Sequence, residues 1–531
     1  MTTRLPMAPV HFVTCAAAMA CVVGLSLPSA AGAAPTATGD FNGDGESDLA
    51  IGAPLDSVAG QRNAGAVNII YGSARAGLRE DPDRQITQAM RGVRGAADPD
   101  DRFGGALASA DFDGDGFGDL AVGSPGEDVS GVAGAGVVHV FYGARRGLTL
   151  RDDLFGQGFA GVAGTREARQ HFGAALAVGD FDGNGRDDLA VGVPDDSVGG
   201  ARGAGAVNVL YSTRSGVRAG ADQIWTQDSP GIEGLAAQLH RFGASLAAGD
   251  LDGDGEDDLA IGIPGGRIAG ADGAGAVSVL YESRGRLSER RNQLWSQGAV
   301  GIRGAPENAD AFGWSLAMGD FDQDRDMDLA VGTAFEDLGG VVDAGAVNVL
   351  YSAERGLRGA DEMIHQGSRG IKGSREDSDH FGEALAAGDF DRDGEDDLAV
   401  GTAFEDVHDA TEGGAVNVLY GSERSGISSR DDFWHQGSRG IKGRLEPFDT
   451  FGSSLATGDF DGDGRWDLVA AAPRDSTQGF ADAGAINVIY GNRGGLREDH
   501  DELWTQGTPG IKGTVGDDHF GAALTSGAPV R

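Results

Sequence analysis

Asp111-Phe112-Asp113-Gly114-Asp115-Gly116-Phe117-Gly118-Asp119-Leu120-Ala121-Val122-Gly123 is one of seven near copies of the same stretch. The first aspartates of the copies are Asp40, Asp111, Asp180, Asp250, Asp320, Asp389 and Asp459, so the steps between them are 71, 69, 70, 70, 69 and 70 residues. A period this regular along 531 residues marks one repeated supersecondary unit, where length alone would suggest three or four unrelated domains.

Each unit reads as short strands separated by glycine turns. In the second unit, Phe103-Gly104-Gly105-Ala106-Leu107-Ala108 leads into the acidic loop and Asp119 to Gly123 leaves it. Gly136 to Tyr142 follows, and a weaker segment around Phe155-Gly156-Gln157 ends the unit. Apolar runs this short, bounded by glycine, are strand and turn chemistry, and no helical periodicity persists beyond a turn. Four strands repeated seven times predict an all-β fold, a seven-bladed β-propeller of four-stranded blades. An open β-solenoid is the alternative, but its repeats are usually much shorter.

The chain ends decide between the two. Phe-Gly pairs begin at Phe103, Phe172, Phe242, Phe312, Phe381, Phe451 and Phe520, and each of the first six precedes a loop aspartate by eight residues. The first loop has no such pair before it, and the last pair has no loop after it. Residues 519–527 are therefore expected to supply the strand that the N-terminal blade lacks, with Gly527 equivalent to Gly39, closing the ring.

The loops themselves place oxygens at alternating positions 1, 3, 5, 7 and 9, a spacing that converges on one hard cation, with position 7 offering its carbonyl and glycine at 6 permitting the turn. The first loop offers Asp40, Asn42, Asp44, Glu46 and Asp48, the second Asp111, Asp113, Asp115, Phe117 and Asp119. The third offers Asp180, Asp182, Asn184, Arg186 and Asp188, the fourth Asp250, Asp252, Asp254, Glu256 and Asp258. Asp320, Asp322, Asp324, Asp326 and Asp328 form the fifth, and Asp389, Asp391, Asp393, Glu395 and Asp397 the sixth. Asp459, Asp461, Asp463, Arg465 and Asp467 complete the set. Position 12 is an apolar strand residue in every copy (Val122 in the second), so the bidentate glutamate and exiting helix of an EF-hand are missing.

A solvated acidic turn without metal is the plainer reading, since Asp and Gly favour turns. Seven repetitions of up to four carboxylates in nine residues argue for a counter-ion, and all-oxygen donors without cysteine point to calcium, up to seven ions, over zinc or a softer metal. Arg325 stands where the other loops have the turn glycine, so the fifth loop is expected to bind more loosely.

The repeat closely resembles the FG-GAP repeat of the integrin alpha-chain propeller, over about residues 34–527. Its Gly-Ala-Pro element appears as Gly52-Ala53-Pro54, Gly123-Ser124-Pro125, Gly192-Val193-Pro194, Gly262-Ile263-Pro264 and Ala471-Ala472-Pro473, and loses proline at Gly332-Thr333-Ala334 and Gly401-Thr402-Ala403. The resemblance implies that metal loops line one face and partners engage the other. That face would be built from segments such as Asp56 to Ala64, Glu127 to Gly134, Asp195 to Gly203, Glu336 to Asp343 and Glu405 to Glu412.

Residues 1–33 stand outside the repeat. Arg4, the apolar run Phe12 to Leu27 and the small residues Ala31-Gly32-Ala33 read as a secretory signal peptide followed by one propeller domain over 34–531. An uncleaved anchor would need a longer apolar run, and lipid attachment at Cys21 is disfavoured because apolar residues continue past it. The only cysteines, Cys15 and Cys21, fall in this leader, so a mature secreted product has no disulfide. The expected product is extracellular, without membrane anchor, and monomeric.

The formal charge of −40 argues against nucleic acid and anionic membranes as partners, and seven divalent cations would still leave −26. We find no Gly-x-Ser-x-Gly elbow, His-Glu-x-x-His or cysteine nucleophile. His171, His380 and His519 recur before Phe-Gly, and Trp225, Trp295, Trp434 and Trp504 recur in Trp-x-Gln, so both sets are expected to be structural. The sequence thus suggests a secreted calcium-binding module for a protein or glycan partner. An extracellular hydrolase or lyase acting on polysaccharide or phosphodiester from the propeller face is the alternative. Phospholipases with such repeats carry a separate catalytic domain, for which 34–39 leaves no room.

Overall fold

A computed structural model describes residues 39–525, apart from 160, 354, 360, 424, 425, 478 and 514. The expected leader 1–33 with its cysteines, and Gly527, lie outside the described residues. The described strands form seven four-stranded antiparallel sheets. From inside outward, blade 2 consists of Ala106–Ala110, Asp119–Ser124, Val137–Phe141 and Asp152–Phe155, and the other blades repeat the pattern.

Blade 1 is assembled from both ends of the chain, as expected. Ala523–Thr525 pairs with Leu49–Ala53 in the register Ala50↔Thr525, Ile51↔Leu524 and Gly52↔Ala523, and Ala66–Tyr71 and Arg79–Ile86 follow outward. The inner strands neighbour one another in succession, from Ala106–Ala110 round to Ser454–Gly458, which lies beside Ala523–Thr525. The ring is closed, so no blade keeps an exposed inner edge.

Side-chain size follows from this geometry. Inner strands such as Ala106–Ala110 and Ala384–Gly388 are rich in alanine and glycine because seven of them converge on one axis. The second strands, for example Asp188–Val193, are buried along their whole length, since both faces of a blade pack on neighbours. The apolar core accordingly lies between blades. Phe112, Val138, Phe172, Leu189 and Leu210 join blades 2 and 3, while Leu49, Phe460, Val469, Phe520 and Leu524 join blade 7 to blade 1. A single blade would bury little apolar surface alone, which explains why the sequence repeats seven times.

Backbone bonds reinforce each interface. The N–H of every Phe-Gly phenylalanine donates to a carbonyl of the preceding blade: Phe103 to Ala64 at 3.0 Å, Phe172 to Ala135 at 3.0 Å, and so on to Phe520 and Ala483 at 3.2 Å. The acidic loops and the turns between third and fourth strands share one face, as the bonds from Ser73 N to Phe460 O and Arg75 N to Asp461 O show. The connections from second to third strand and from blade to blade share the other. There Asp100 N and Arg102 N donate to Arg62 O and Asn63 O.

Candidate metal centre

Each acidic loop is held by its own carboxylates. In the first, one Asp40 oxygen accepts from Gly43 N and Asp44 N at 2.6 and 3.0 Å and the other from Gly45 N at 2.8 Å. The second, fourth, sixth and seventh loops repeat bonds of this kind, as from Gly116 N to Asp111 and Gly464 N to Asp459. Position 1 therefore winds the loop, and the residue at position 7 donates its N–H to position 5, as Phe117 does to Asp115 at 3.0 Å.

Position 9 has a role that its spacing did not disclose. One oxygen of Asp467 accepts from Phe460 N at 2.9 Å, and the other from Gly491 N, at the end of the third strand, at 2.9 Å. Asp48, Asp119, Asp258, Asp328 and Asp397 make the same two bonds. The residue ties the loop to its blade as well as standing in the ligand pattern. A partner 24 residues away on another strand leaves no local signature.

Carboxylate oxygens of Asp111, Asp113 and Asp115, of Asp180, Asp182 and Asp188, and of Asp250, Asp252 and Asp254 come within 4.8 Å of one another. In the fourth loop Asp254 and Glu256 are also that close to Glu282, a carboxylate outside the motif. Several buried oxygens in these loops have no hydrogen-bond donor: Asp188 Oδ2, Asp252 Oδ1, Asp320 Oδ1, Asp322 Oδ1 and Asp391 Oδ1. A buried anionic oxygen left unpaired is strongly disfavoured, and a hard cation is the group that an all-oxygen cluster of this kind fits.

Proton affinities agree. Burial, reinforced by other carboxylates of the same loop, outweighs the backbone donors and pushes Asp119 and Asp188 up to about 9 and Asp328 to about 8. Asp48, Asp258, Asp397 and Asp467 move well upward for the same reasons. Arginines offset part of the charge. Arg291 lies 2.5 Å from one oxygen of Asp252 and Arg430 lies 2.8 Å from one of Asp391, leaving in each case the unpaired Oδ1.

Arg325 does take up positive φ, 81°, like the glycines at the same position elsewhere. Gln323 and Arg392, each at position 4 of its loop, do so as well, at 59°. Strain is thus concentrated in the fifth and sixth loops.

The histidines and tryptophans do not converge. His171 Nδ1 lies 2.7 Å from Asp195, while His380 packs between Phe335 and Phe404, and burial lowers its pKa to about 4. Trp225, Trp434 and Trp504 are buried in three different inter-blade clusters. A cavity of about 710 Å³ lies at the rim of blades 6 and 7, lined by Arg439, Asn492, Arg497 and Glu498, away from the inner strands.

The FG-GAP repeat pattern matches residues 31–69, 103–141, 172–210, 242–280, 312–350, 381–419 and 451–489. The chain belongs to the FG-GAP repeat family. These segments run from the start of an FG-GAP unit through its acidic loop to the third strand, so the family pattern omits the outer strand and the blade-to-blade connections. Phosphatidylinositol-glycan-specific phospholipase D of Rattus norvegicus is 35% identical over 190 residues, 35% of this chain and 21% of that protein. Integrin alpha pat-2 of Caenorhabditis briggsae is 33% identical over 244 residues, 44% and 18% of the two chains. This FG-GAP chain therefore spans about a fifth of those relatives. Among solved structures, rhamnogalacturonan lyase YesW covers 94% of this chain and 78% of its own at 15% identity and a TM-score of 0.41.

Proposed function

We propose that this FG-GAP propeller is a secreted, calcium-stabilised binding module whose protein or glycan partner engages the face opposite the acidic loops. The unpaired buried oxygens of Asp188, Asp252 and Asp391 carry the calcium reading. Positions 1, 3, 5, 7 and 9 of each loop would hold the ion, which would supply charge neutralisation and take the place of the disulfides that the mature chain lacks. The protein's own part is to wind the loop on its position 1 aspartate and to anchor it through position 9. A hard ion at about 0.1–1 mM affinity suits extracellular modules of this type.

The opposite face supports the binding reading because its connections vary most from blade to blade, and variable loops on a rigid scaffold are where specificity is encoded. The apolar run at Phe12 to Leu27 supports secretion, and among the described residues no helix is long and apolar enough to cross a membrane. Calorimetric titration of the chelator-stripped protein with calcium tests the metal: uptake of several ions with a rise in melting temperature is expected, and no uptake at millimolar calcium would overturn it. A glycan array combined with pull-down, using variants of Glu405 to Glu412, tests the face.

A further inference from the structure

A belt of hydrogen bonds joins the blades on the face opposite the acidic loops. Behind each outer strand stands one glutamine: Gln88, Gln157, Gln227, Gln297, Gln366, Gln436 and Gln506. In six blades its amide N–H donates to an acid of the next blade, among them Gln88 to Glu127 at 2.7 Å, Gln297 to Glu336 at 2.6 Å, Gln366 to Glu405 at 2.7 Å and Gln436 to Asp475 at 2.7 Å. The amide oxygens of these four glutamines are buried without a donor.

Two blades show what that oxygen requires. Gln157 Oε1 accepts from Gln170 Nε2 at 3.3 Å, and Gln227 Oε1 lies 2.8 Å from His240 Nδ1. Gln170 and His240 stand two residues before Phe172 and Phe242. In the other blades this position is Asp101, Asp310, Asp379, Asp449 or Asp518, all buried. The side chains are anchored alike: the N–H three residues earlier donates to Gln170 Oε1, and equally to Oδ2 of Asp101, Asp310, Asp379 and Asp449. One oxygen is thus held in common, and the aspartates occupy the position whose side chain reaches the glutamine oxygen in those two blades. An ionised aspartate there offers that buried oxygen no donor, whereas a protonated one does.

The geometry points to protonated carboxylic acids at Asp101, Asp379 and Asp449, each donating its O–H to the glutamine of the preceding outer strand, so that this face of the propeller is held together by protons and loosens as they are lost. The acid of the next blade already receives the glutamine N–H, which favours its ionised form and leaves the proton to Asp101, Asp379 and Asp449. Burial, then the facing acids Glu127, Asp98 and Asp128, pushes Asp101 up to about 8. Burial with Glu405, Glu376 and Asp406 does the same to Asp379, and burial with Asp475 and Glu446 brings Asp449 to about 7. Asp310, facing Glu307, Asp337 and Asp343, rises only to about 6 while its neighbour Glu336 rises to about 7, so in that blade the proton sits on the glutamate.

The direction with pH follows. These acids bind protons more tightly folded than unfolded, so their contribution is complete below the ordinary carboxylate range near 4 and is lost as pH rises through about 7 to 8. Asparagine mimics the protonated acid, its amide donating where the O–H did. In saturating calcium, Asp379→Asn should unfold in urea as the parent does at pH 5 and be more stable at pH 9, with about one fewer proton in the pH slope of the unfolding constant. Asp379→Ala should be weaker at both. A pH 5 defect in Asp379→Asn, or loss of a sodium- or calcium-dependent stabilisation beyond that of the loops, would overturn the proposal in favour of an ionised acid or a bound cation. Infrared spectra of the unsubstituted protein give a second test. A protonated-carboxyl carbonyl band at pH 6 that shrinks in Asp101→Asn/Asp379→Asn is expected, and its absence from the parent would also overturn the proposal.

Discussion

At the residue scale, the acidic loops share their anchoring but differ in strain. Arg325 holds φ of 81° where other loops have glycine, and a β-carbon in the left-handed region costs about 1–2 kcal/mol. Arg325→Gly should therefore stabilise the protein by about 1 kcal/mol in urea unfolding and raise the affinity of the weakest calcium step in a titration. Asp467 is the opposite case. Replacing it with alanine strips the acceptor from Phe460 N and Gly491 N, both buried, at about 1–3 kcal/mol each. The loss should persist in excess calcium, which separates the anchoring role from ligation.

At the scale of elements, one residue in or just after each third strand reaches into the next blade. All seven tyrosines of the chain, Tyr71, Tyr142, Tyr211, Tyr281, Tyr351, Tyr420 and Tyr490, occupy this place. Six of them accept a backbone N–H from the neighbouring outer hairpin, among them Tyr281 from Leu357 at 3.0 Å and Tyr420 from Leu496 at 3.3 Å. Tyr490 serves Leu78 and so bridges the last blade to the first. A glycine with positive φ makes room for the hydroxyl: a β-carbon on Gly495 would lie 1.9 Å from the Tyr420 oxygen. Tyr420→Phe should cost about 1–3 kcal/mol through the orphaned Leu496 N–H. Gly495→Ala should cost more, because it adds overlap to strain, and thermal unfolding of both variants checks the order.

At the scale of the whole molecule, closure and charge govern stability together. Removing residues 519–531 would take Phe520 and Leu524 from the last interface and Ala523 from that between blades 1 and 2, and expose the edge of Leu49–Ala53. The truncated chain should associate through that edge in size-exclusion chromatography, and a synthetic 519–527 peptide should reverse it. Charge acts through the loops. In chelator, aspartates pushed up to about 9 bind protons more tightly folded than unfolded, so melting temperature should fall as pH rises from about 4. Added calcium should remove most of that fall and release protons, measurable as a buffer-dependent binding enthalpy. Loss of calcium on acidification follows from the same competition.

Blade number, the strand order and the ring closure were all legible in the linear chain, because each is written within about 70 residues and then repeated, and because the offset between seven Phe-Gly pairs and seven loops is a matter of counting. The ligand pattern of the loops was equally local. The tertiary structure alone decided which polar groups meet across blades: Tyr490 with Leu78, Tyr420 with Leu496, Gln366 with Glu405. Their separations of 412, 76 and 39 residues lie beyond any local pattern. The physical reason is that a blade's hydrogen bonds within its sheet follow from sequence order, while its bonds to neighbours follow from twist and radial packing, which exist only once the ring has formed.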